Sequence, residues 1–148
     1  MFKVSFLPVA AAGVLLLAAG PAVAAEHQVK MLNRGADGFM VFEPAVVKAR
    51  PGDTVRFLPT DPGHNAEMIA GMIPEGVPLA RGAMNKELVV KVTKPGVYAF
   101  KCAPHYGMGM VAVVQVGAAT NGAAVSAAAA SAPGQARKRL AAYLAKTK

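Results

Sequence analysis

Short apolar runs rich in valine and aromatic residues recur along the chain and are separated by glycine and proline. Valine and aromatic side chains favour strands, whereas glycine and proline favour the reversals between them. The pattern therefore predicts an all-β domain built from short strands. They cover residues 28–33, 40–42, 45–50, 54–59, 88–93, 97–101 and 110–116.

Two reversals are prominent in this pattern, Arg-Pro-Gly-Asp at 50–53 and Lys-Pro-Gly at 94–96. Proline and glycine suit tight turns, so we expect a hairpin at each position. In residues 88–92 and 97–101 apolar positions partly alternate with charged ones, which is typical of strands with one face in a core and the other in water. The expected architecture is a two-sheet Greek-key β-sandwich or barrel.

Two parts of the chain lack the strand pattern. Residues 65–86 are rich in proline, glycine and methionine and predict an irregular excursion with a helical turn at 66–70. After Gly117 the composition shifts to alanine, which predicts two helices broken at Pro133, with a frayed tail as the alternative. Three large side chains of the second helix would dock on the barrel while its basic residues point outward. They are Leu140, Tyr143 and Leu144.

The first two dozen residues have the pattern of an export signal. Lys3 lies near the amino end, an apolar run covers 9–19, and small residues follow at 22–24. We expect signal peptidase to cut after Ala24, although a cut after Ala25 also satisfies the small-residue rule. The run is short for a membrane span, and an uncleaved anchor is the alternative. The expected organisation is a signal peptide at 1–24, a β-barrel at 25–117 and a helical extension at 118–148.

The chain is basic, with 16 lysines and arginines against 8 aspartates and glutamates. Removal of residues 1–24 takes away one lysine and leaves 15 basic and 8 acidic residues, a net charge of +7. Such a charge favours an acidic partner protein or an anionic surface. The sequence has no arginine-rich stripe interleaved with aromatic residues, so nucleic acid is not expected as a partner.

Cys102 is the only cysteine of the chain. An exported protein with one cysteine cannot form an internal disulfide, so this thiol must be buried, paired with another chain, reactive or metal-bound. Its neighbours favour a metal, because His105 and Met110 follow closely and His64 supplies a second imidazole from upstream. Two nitrogens, one strong sulfur and one weak sulfur are the ligands of an electron-transfer copper centre.

Such a ligand set suits both oxidation states of copper, because Cu(I) prefers sulfur and Cu(II) accepts nitrogen, and a rigid set changes charge with little movement. A proline and two glycines between Cys102 and Met110 predict the tight return that closes the ligand loop. We expect Asn65, beside His64, to hydrogen-bond across to the Cys102 loop and hold the two loops together.

The loop from Cys102 to Met110 resembles that of the pseudoazurin family. Four upstream segments share the resemblance: Val-Phe-Glu-Pro at 41–44, Pro-Gly-Asp-Thr-Val at 51–55, Gly-His-Asn at 63–65 and Met-Ile-Pro-Glu-Gly at 72–76. Plastocyanin-like proteins share the ligand spacings, so the upstream segments and the helical tail favour pseudoazurin. The resemblance implies a periplasmic type 1 blue copper protein with a cupredoxin-like fold and two carboxy-terminal helices. It also implies one copper ion bound by His64, Cys102, His105 and Met110.

The resemblance further implies redox partners, with copper nitrite reductase as acceptor and a c-type cytochrome as donor. We expect the electron to leave through the outward edge of His105, framed by the apolar residues Met40, Pro104 and Met108. A basic rim would steer an acidic partner towards this edge. Its expected members are Arg34, Arg81 and Lys101. The chain departs from the family at Pro62, where pseudoazurins commonly carry lysine, and in its alanine-rich tail.

Two other functions could use the same residues. In a thiol enzyme, His105 would activate Cys102, but the loop offers no third member and contains a methionine for which hydrolysis has no use. A copper carrier or store would use the same ligands and exchange its metal readily. We therefore expect a non-enzymatic electron carrier.

Overall fold

The computed structural model describes Met1 and residues 23–147. Most of the predicted signal peptide at 1–24 lies outside these described residues. Within residues 23–147, none of the helices has the length and apolar character needed to cross a membrane.

Eight strands in the described part of the chain form two four-stranded sheets. They are β1 (Glu26–Gly35), β2 (Gly38–Glu43), β3 (Val46–Ala49), β4 (Thr54–Leu58), β5 (Glu67–Met68), β6 (Leu88–Lys91), β7 (Gly96–Lys101) and β8 (Val111–Val116). The first sheet has the order β2-β1-β4-β6 and the second the order β3-β8-β7-β5. The pairs β1–β4 and β3–β8 are parallel, and the remaining ladders are antiparallel. The two mixed sheets form the predicted sandwich.

The two predicted hairpins are wrong. Residues 50–53 connect β3 to β4 and residues 94–96 lead from β6 into β7, so each reversal joins strands of different sheets. The first turn is nonetheless tight, since the Asp53 N–H donates to the Arg50 carbonyl at 3.0 Å. Turn residues specify a local reversal, whereas packing of apolar faces decides which sheet receives the next strand. A hairpin does occur between β1 and β2, where Gly35 faces Gly38.

The predicted helical turn at 66–70 is also wrong. Residues Glu67 and Met68 form β5, which pairs with Lys101 and Phe100 of β7. Pairing with a sheet edge satisfies the backbone groups of this segment, and this tertiary contact overrides a weak local helix preference. The rest of 65–86 is irregular, as predicted.

The main core fills the space between the sheets. The Phe57 ring lies 5.5 Å from the Phe42 ring and 4.6 Å from the Phe100 ring, measured between centroids. Cys102 and Met110 belong to the same buried cluster. The predicted metal ligands therefore extend a close-packed aromatic core, whose density limits how far they can move.

A second core lies on the outer face of the β3-β8-β7-β5 sheet. Helices α1 (Gly122–Ala129) and α2 (Gly134–Leu144) cover this face, and the predicted stripe of Leu140, Tyr143 and Leu144 is buried there. Because the helices cover the sheet, residues 96–100 are all buried, and the water-facing side expected for 97–101 is wrong. Strand β6 keeps the expected alternation, with Val90 buried and Val89 half exposed.

Helix α2 begins directly against the loop between β7 and β8. The Gln135 N–H donates to the Gly107 carbonyl at 3.0 Å. A Cβ added at Gly134 would lie 2.3 Å from that carbonyl oxygen, and the φ of Gly134 is +50°. Only glycine tolerates both constraints, so this residue allows the first turn of α2 to touch the predicted ligand loop.

Candidate metal centre

Two loops at one end of the sandwich carry the predicted ligands. His64 lies in the irregular connection after β4, Cys102 directly follows β7, and Met110 directly precedes β8. The Cys102 N–H donates to the Met110 carbonyl at 3.0 Å, and the Met110 N–H donates to the His105 carbonyl at 3.2 Å. Antiparallel pairing of β7 with β8 thus closes the second loop at its base.

Three donor atoms converge between these loops. Cys102 Sγ lies 3.7 Å from His64 Nδ1 and 3.5 Å from His105 Nδ1, and the two Nδ1 atoms are 3.1 Å apart. All three lie within 4.8 Å of one another. His64, Cys102 and Met110 are fully buried, whereas His105 is half-buried. The site therefore has a closed interior and a single imidazole that faces outward.

Asn33 orients the His64 ring, a role that the sequence did not reveal. Its side-chain oxygen lies 2.8 Å from His64 Nε2. An Nε2–H that donates to this oxygen leaves the lone pair on Nδ1, which faces Cys102. Asn33 itself is held by its backbone N–H, which donates to Asp61 at 2.7 Å. The only sequence signal is an amide near the end of a strand, which is too common to identify such a residue.

Asn65 joins the two loops, as predicted. Its side-chain oxygen accepts the Ala103 N–H at 2.8 Å, and its side-chain nitrogen donates to the Gly82 carbonyl at 3.1 Å. The same nitrogen lies 3.4 Å from a carboxylate oxygen of the buried Glu67. One buried amide therefore fixes the residue that follows Cys102 relative to the residue that follows His64.

Burial shifts the pKa values of two predicted ligands. It lowers the pKa of His64, and the neighbouring His105 lowers it further. It raises the pKa of the Cys102 thiol, an effect that backbone N–H groups of Asn65 and His105 partly offset. Both shifts favour the uncharged groups. A cation among the donors would reverse the second effect, because metal coordination stabilises a thiolate directly.

The donor set fits a soft transition metal. Two imidazole nitrogens face each other across 3.1 Å beside a thiol sulfur, and this arrangement needs a shared proton or a cation between the lone pairs. Two nitrogens and one sulfur suit copper and do not suit the oxygen-preferring cations magnesium and calcium. Met110 is buried in the same cluster as Cys102, and its thioether is a donor that would suit only a soft metal.

Comparison with known proteins identifies the family. The family model for copper binding proteins of the plastocyanin/azurin family matches residues 29–117. A pseudoazurin from Paracoccus pantotrophus is 50% identical over 136 residues, which cover 92% of this chain and 93% of that protein. The chain belongs to the pseudoazurin family. The crystal structure of native pseudoazurin from Hyphomicrobium denitrificans superposes with a TM-score of 0.79 at 48% identity, over 83% of this chain and 98% of that one.

A second solved pseudoazurin, from Methylobacterium extorquens AM1, gives a TM-score of 0.77 at 48% identity over 82% of this chain and 98% of that chain. The cupredoxin fold with two carboxy-terminal helices is therefore confirmed. As a member of this family, the protein uses copper and is a blue copper electron-transfer protein.

Replacement of Asn65 by alanine should loosen the metal centre. The change leaves the Ala103 N–H and the Gly82 carbonyl without their partner and should cost about 1–3 kcal/mol in the free energy of unfolding of the metal-free protein, measured in urea. We also expect faster loss of Cu(II) to a chelator.

Asn121→Ala is the matched control for this prediction. The Asn121 amide also bridges two backbone groups, the N–H and carbonyl of Val97, but it lies at the start of α1. This variant should lose similar stability and hold Cu(II) as firmly as the wild type. Equal copper retention in both variants would show that Asn65 has no special role at the metal centre.

Proposed function

We propose that the protein carries single electrons between redox proteins of the periplasm by cycling one copper ion between Cu(II) and Cu(I). His64, Cys102, His105 and Met110 would hold this ion. The observation that supports the proposal is the convergence of two imidazole nitrogens and one thiol sulfur within 4.8 Å. Bound copper supplies the change of charge, and the chain supplies a fixed set of donors.

Rigidity of the donor set is what the chain contributes to electron transfer. The two ligand loops are held together by the Asn65 side chain, and the His64 ring is held by Asn33. Ligands that are already in place move little when the metal gains or loses charge, which keeps the barrier to electron transfer low.

The half-buried His105 is the proposed point of electron exit. Exposed apolar side chains lie in neighbouring segments: Met108 is 50% exposed, and Phe39 and Met84 are also exposed. Met84 precedes Asn85, whose N–H donates to the His64 carbonyl at 2.8 Å. An apolar surface near one partly exposed ligand lets a partner exclude water and approach closely without a large desolvation penalty.

Charge would guide the partner to this surface. Arg34 lies over the Phe39 ring at 5.0 Å, whereas Arg81 and Lys101 lie 3.4 and 3.3 Å from the Glu67 carboxylate. The Glu67 carboxylate offsets part of the positive potential of Arg81 and Lys101. Arg34 is therefore expected to contribute most to the potential of the proposed basic rim. With a net charge of +7 after export, the protein suits an acidic partner. We propose copper nitrite reductase as acceptor and a c-type cytochrome as donor.

The alternative functions fit the structure less well. A thiol enzyme needs an accessible thiolate, but Cys102 is fully buried and burial raises its pKa. A copper carrier needs ligands that open easily, whereas hydrogen bonds hold the two ligand loops to each other. Both observations support a carrier of electrons.

Addition of Cu(II) should give an intense visible absorption from thiolate-to-metal charge transfer. Cys102→Ser should abolish this band because it removes the thiolate, while Met108→Leu on the exposed surface should keep it. Voltammetry should show a reversible one-electron couple with the metal retained in both states. A colourless wild type would overturn the proposed ligand set, and loss of copper on each reduction would favour the copper carrier.

Electron transfer to copper nitrite reductase should slow as ionic strength rises, because salt screens attraction between a basic carrier and an acidic partner. Arg34→Gln should lower the second-order rate about two- to threefold at low salt and leave the rate at high salt unchanged. Lys48→Gln serves as control, since Lys48 pairs with Gln115 of β8, towards the end of the sandwich opposite the ligands. Rates that do not respond to salt would exclude steering by charge.

A further inference from the structure

Arg139 of α2 makes an unusual set of contacts beside the ligand loop. Its Nη1 donates to the carbonyls of Met40 and Gly109 at 2.8 and 2.9 Å. Its Nη2 donates to the carbonyls of Asp37 and Phe39, each at 3.0 Å. The planar guanidinium presents its donors in a fixed fork, so one side chain fixes four carbonyls at once.

These contacts contradict the expectation that the basic residues of this helix point outward. Arg137 and Lys138 are exposed, whereas Arg139 is half-buried. The nearby Asp37 carboxylate accepts the Tyr143 hydroxyl at 2.8 Å. The positive charge of Arg139 is thus directed at four peptide carbonyls and away from bulk water.

The four carbonyls belong to two segments that the sequence places far apart. Three are in or beside the β1–β2 hairpin, where Met40 adopts a left-handed φ of +51°. The fourth is Gly109, the residue before Met110, with a φ of +92°. A Cβ at Gly109 would lie 2.9 Å from Arg139 Cδ. The missing side chain at Gly109 therefore lets Arg139 approach the backbone of the ligand loop.

We propose that Arg139 is a positioning residue for the metal centre. By holding the Gly109 carbonyl, it sets the distance of the Met110 thioether from the other three donor atoms. This inference rests on the proposed ligand set. A thioether bonds copper weakly, so the metal cannot impose its position, and the backbone must do so. Gln135 supports the same loop one turn earlier through Gly107, and Arg139 completes the attachment at Gly109.

Two variants of Arg139 test this role. Arg139→Gln removes the fork and the charge, and Arg139→Lys keeps the charge but cannot reach four carbonyls with one ammonium. In the metal-free protein, we expect amide hydrogen exchange at Gly109 and Met110 to become about tenfold faster in both variants. In the copper-loaded protein, we expect both variants to change the intensity ratio of the thiolate-to-Cu(II) absorption bands and to shift the reduction potential. Because Arg139→Lys keeps the positive charge, these changes in that variant would exclude a pure effect of charge.

Tyr143→Phe and Arg137→Gln are the matched controls. Tyr143→Phe removes the bond to Asp37 and loosens the same helix without touching Gly109. Arg137→Gln removes an exposed charge from the same helix. Both should keep wild-type exchange at Gly109 and Met110 and a wild-type band ratio. The inference is overturned if Arg139→Lys behaves like these controls; a colourless wild type would instead refute the ligand set.

A separate observation concerns the start of the folded chain. The Asp53 carboxylate is only 4% exposed, and it accepts the Arg50 N–H and lies 2.8 Å from His27 Nε2. Its other oxygen accepts the Ala25 N–H at 2.9 Å. The Ala25 carbonyl in turn accepts the Thr54 N–H at 2.9 Å. Residues 23–25 are all exposed, but Ala25 is held by hydrogen bonds from both of its backbone groups.

These bonds distinguish the two cleavage positions that the sequence allows. We infer that the mature chain begins at Ala25 and that its new ammonium group binds Asp53; the inference rests on the proposed export. Hydrolysis by signal peptidase breaks the Ala24–Ala25 C–N bond. Water supplies the hydroxyl of the Ala24 carboxyl group and the hydrogen of the Ala25 amine, which then takes up a proton. A cut after Ala25 would remove both bonds.

Processing at this bond should strengthen the contact with Asp53. Before cleavage the donor is a neutral amide, and afterwards it is an ammonium, whose charge-assisted hydrogen bond is stronger. The pKa of the Asp53 carboxyl is about 2, because the Arg50 N–H, His27 and the Ala25 N–H all donate to it, so Asp53 is ionised at neutral pH. The other charged groups on adjoining elements are Glu26, Arg56 and Lys91.

Three chains without added residues, beginning at Val23, Ala25 and Glu26, test the inference. At pH 6.5 the Ala25 chain should melt about 3–6 °C above both others. Asp53 should raise the pKa of the terminal amine, so this advantage is fully present below the unfolded pKa of about 8 and is lost as the pH rises through the folded value. All three chains contain His27, so the presence of this residue does not account for a difference between them.

Asp53→Asn completes the test, because it should remove the difference between the Ala25 and Val23 chains. Mass measurement on the protein exported from the full chain should place its first residue at Ala25. A Val23 chain as stable as the Ala25 chain, a difference that survives in Asp53→Asn, or an exported protein that begins at Glu26 would each overturn the inference. None of these measurements uses copper, so this inference and the proposed electron transfer can fail independently of each other.

Discussion

The hydrogen bonds of one buried amide, Asn65, hold two separate loops together, and the geometry of the metal centre depends on this link. Asn65 ties its own loop, which carries His64, to the residue after Cys102. The three donor atoms lie within 4.8 Å of one another. Hydrogen bonds that fix the two loops reduce the conformational entropy that a flexible chain would lose on binding copper.

The same constraint accounts for the two layers of apolar packing. The core between the sheets contains Cys102 and Met110, so it anchors two of the proposed ligands from inside. The core beneath the helices anchors the ligand loop from outside, since α2 begins against Gly107 and Arg139 reaches Gly109. The loop that carries three of the four proposed ligands is thus packed on both sides, which suits a centre that changes charge without changing shape.

Predictions held where neighbouring residues determine the structure and failed where contacts between distant residues determine it. The turn residues at 50–53 form a tight reversal, but they do not encode that β3 and β4 lie in different sheets. Residues 67 and 68 carry no strand pattern and become β5 because the edge of β7 is available. Asn33 orients His64 from 31 positions away, and nothing near either residue indicates the pairing. Arg139 looks like any basic residue on an exposed helix face, yet its partners are backbone carbonyls, which have no sequence signature.

The sequence by itself determined the strand-rich architecture, the helical tail with its buried stripe and the chemical nature of the centre, because these follow from residue types at short spacings. Cys102, His105 and Met110 lie within one loop, and their donor atoms alone indicate a soft metal. The tertiary structure decided how strands are shared between the sheets, how the His64 ring is turned and which polar groups hold the loops. These features depend on contacts between residues far apart in the chain, and such contacts exist only once both sheets and α2 have packed together.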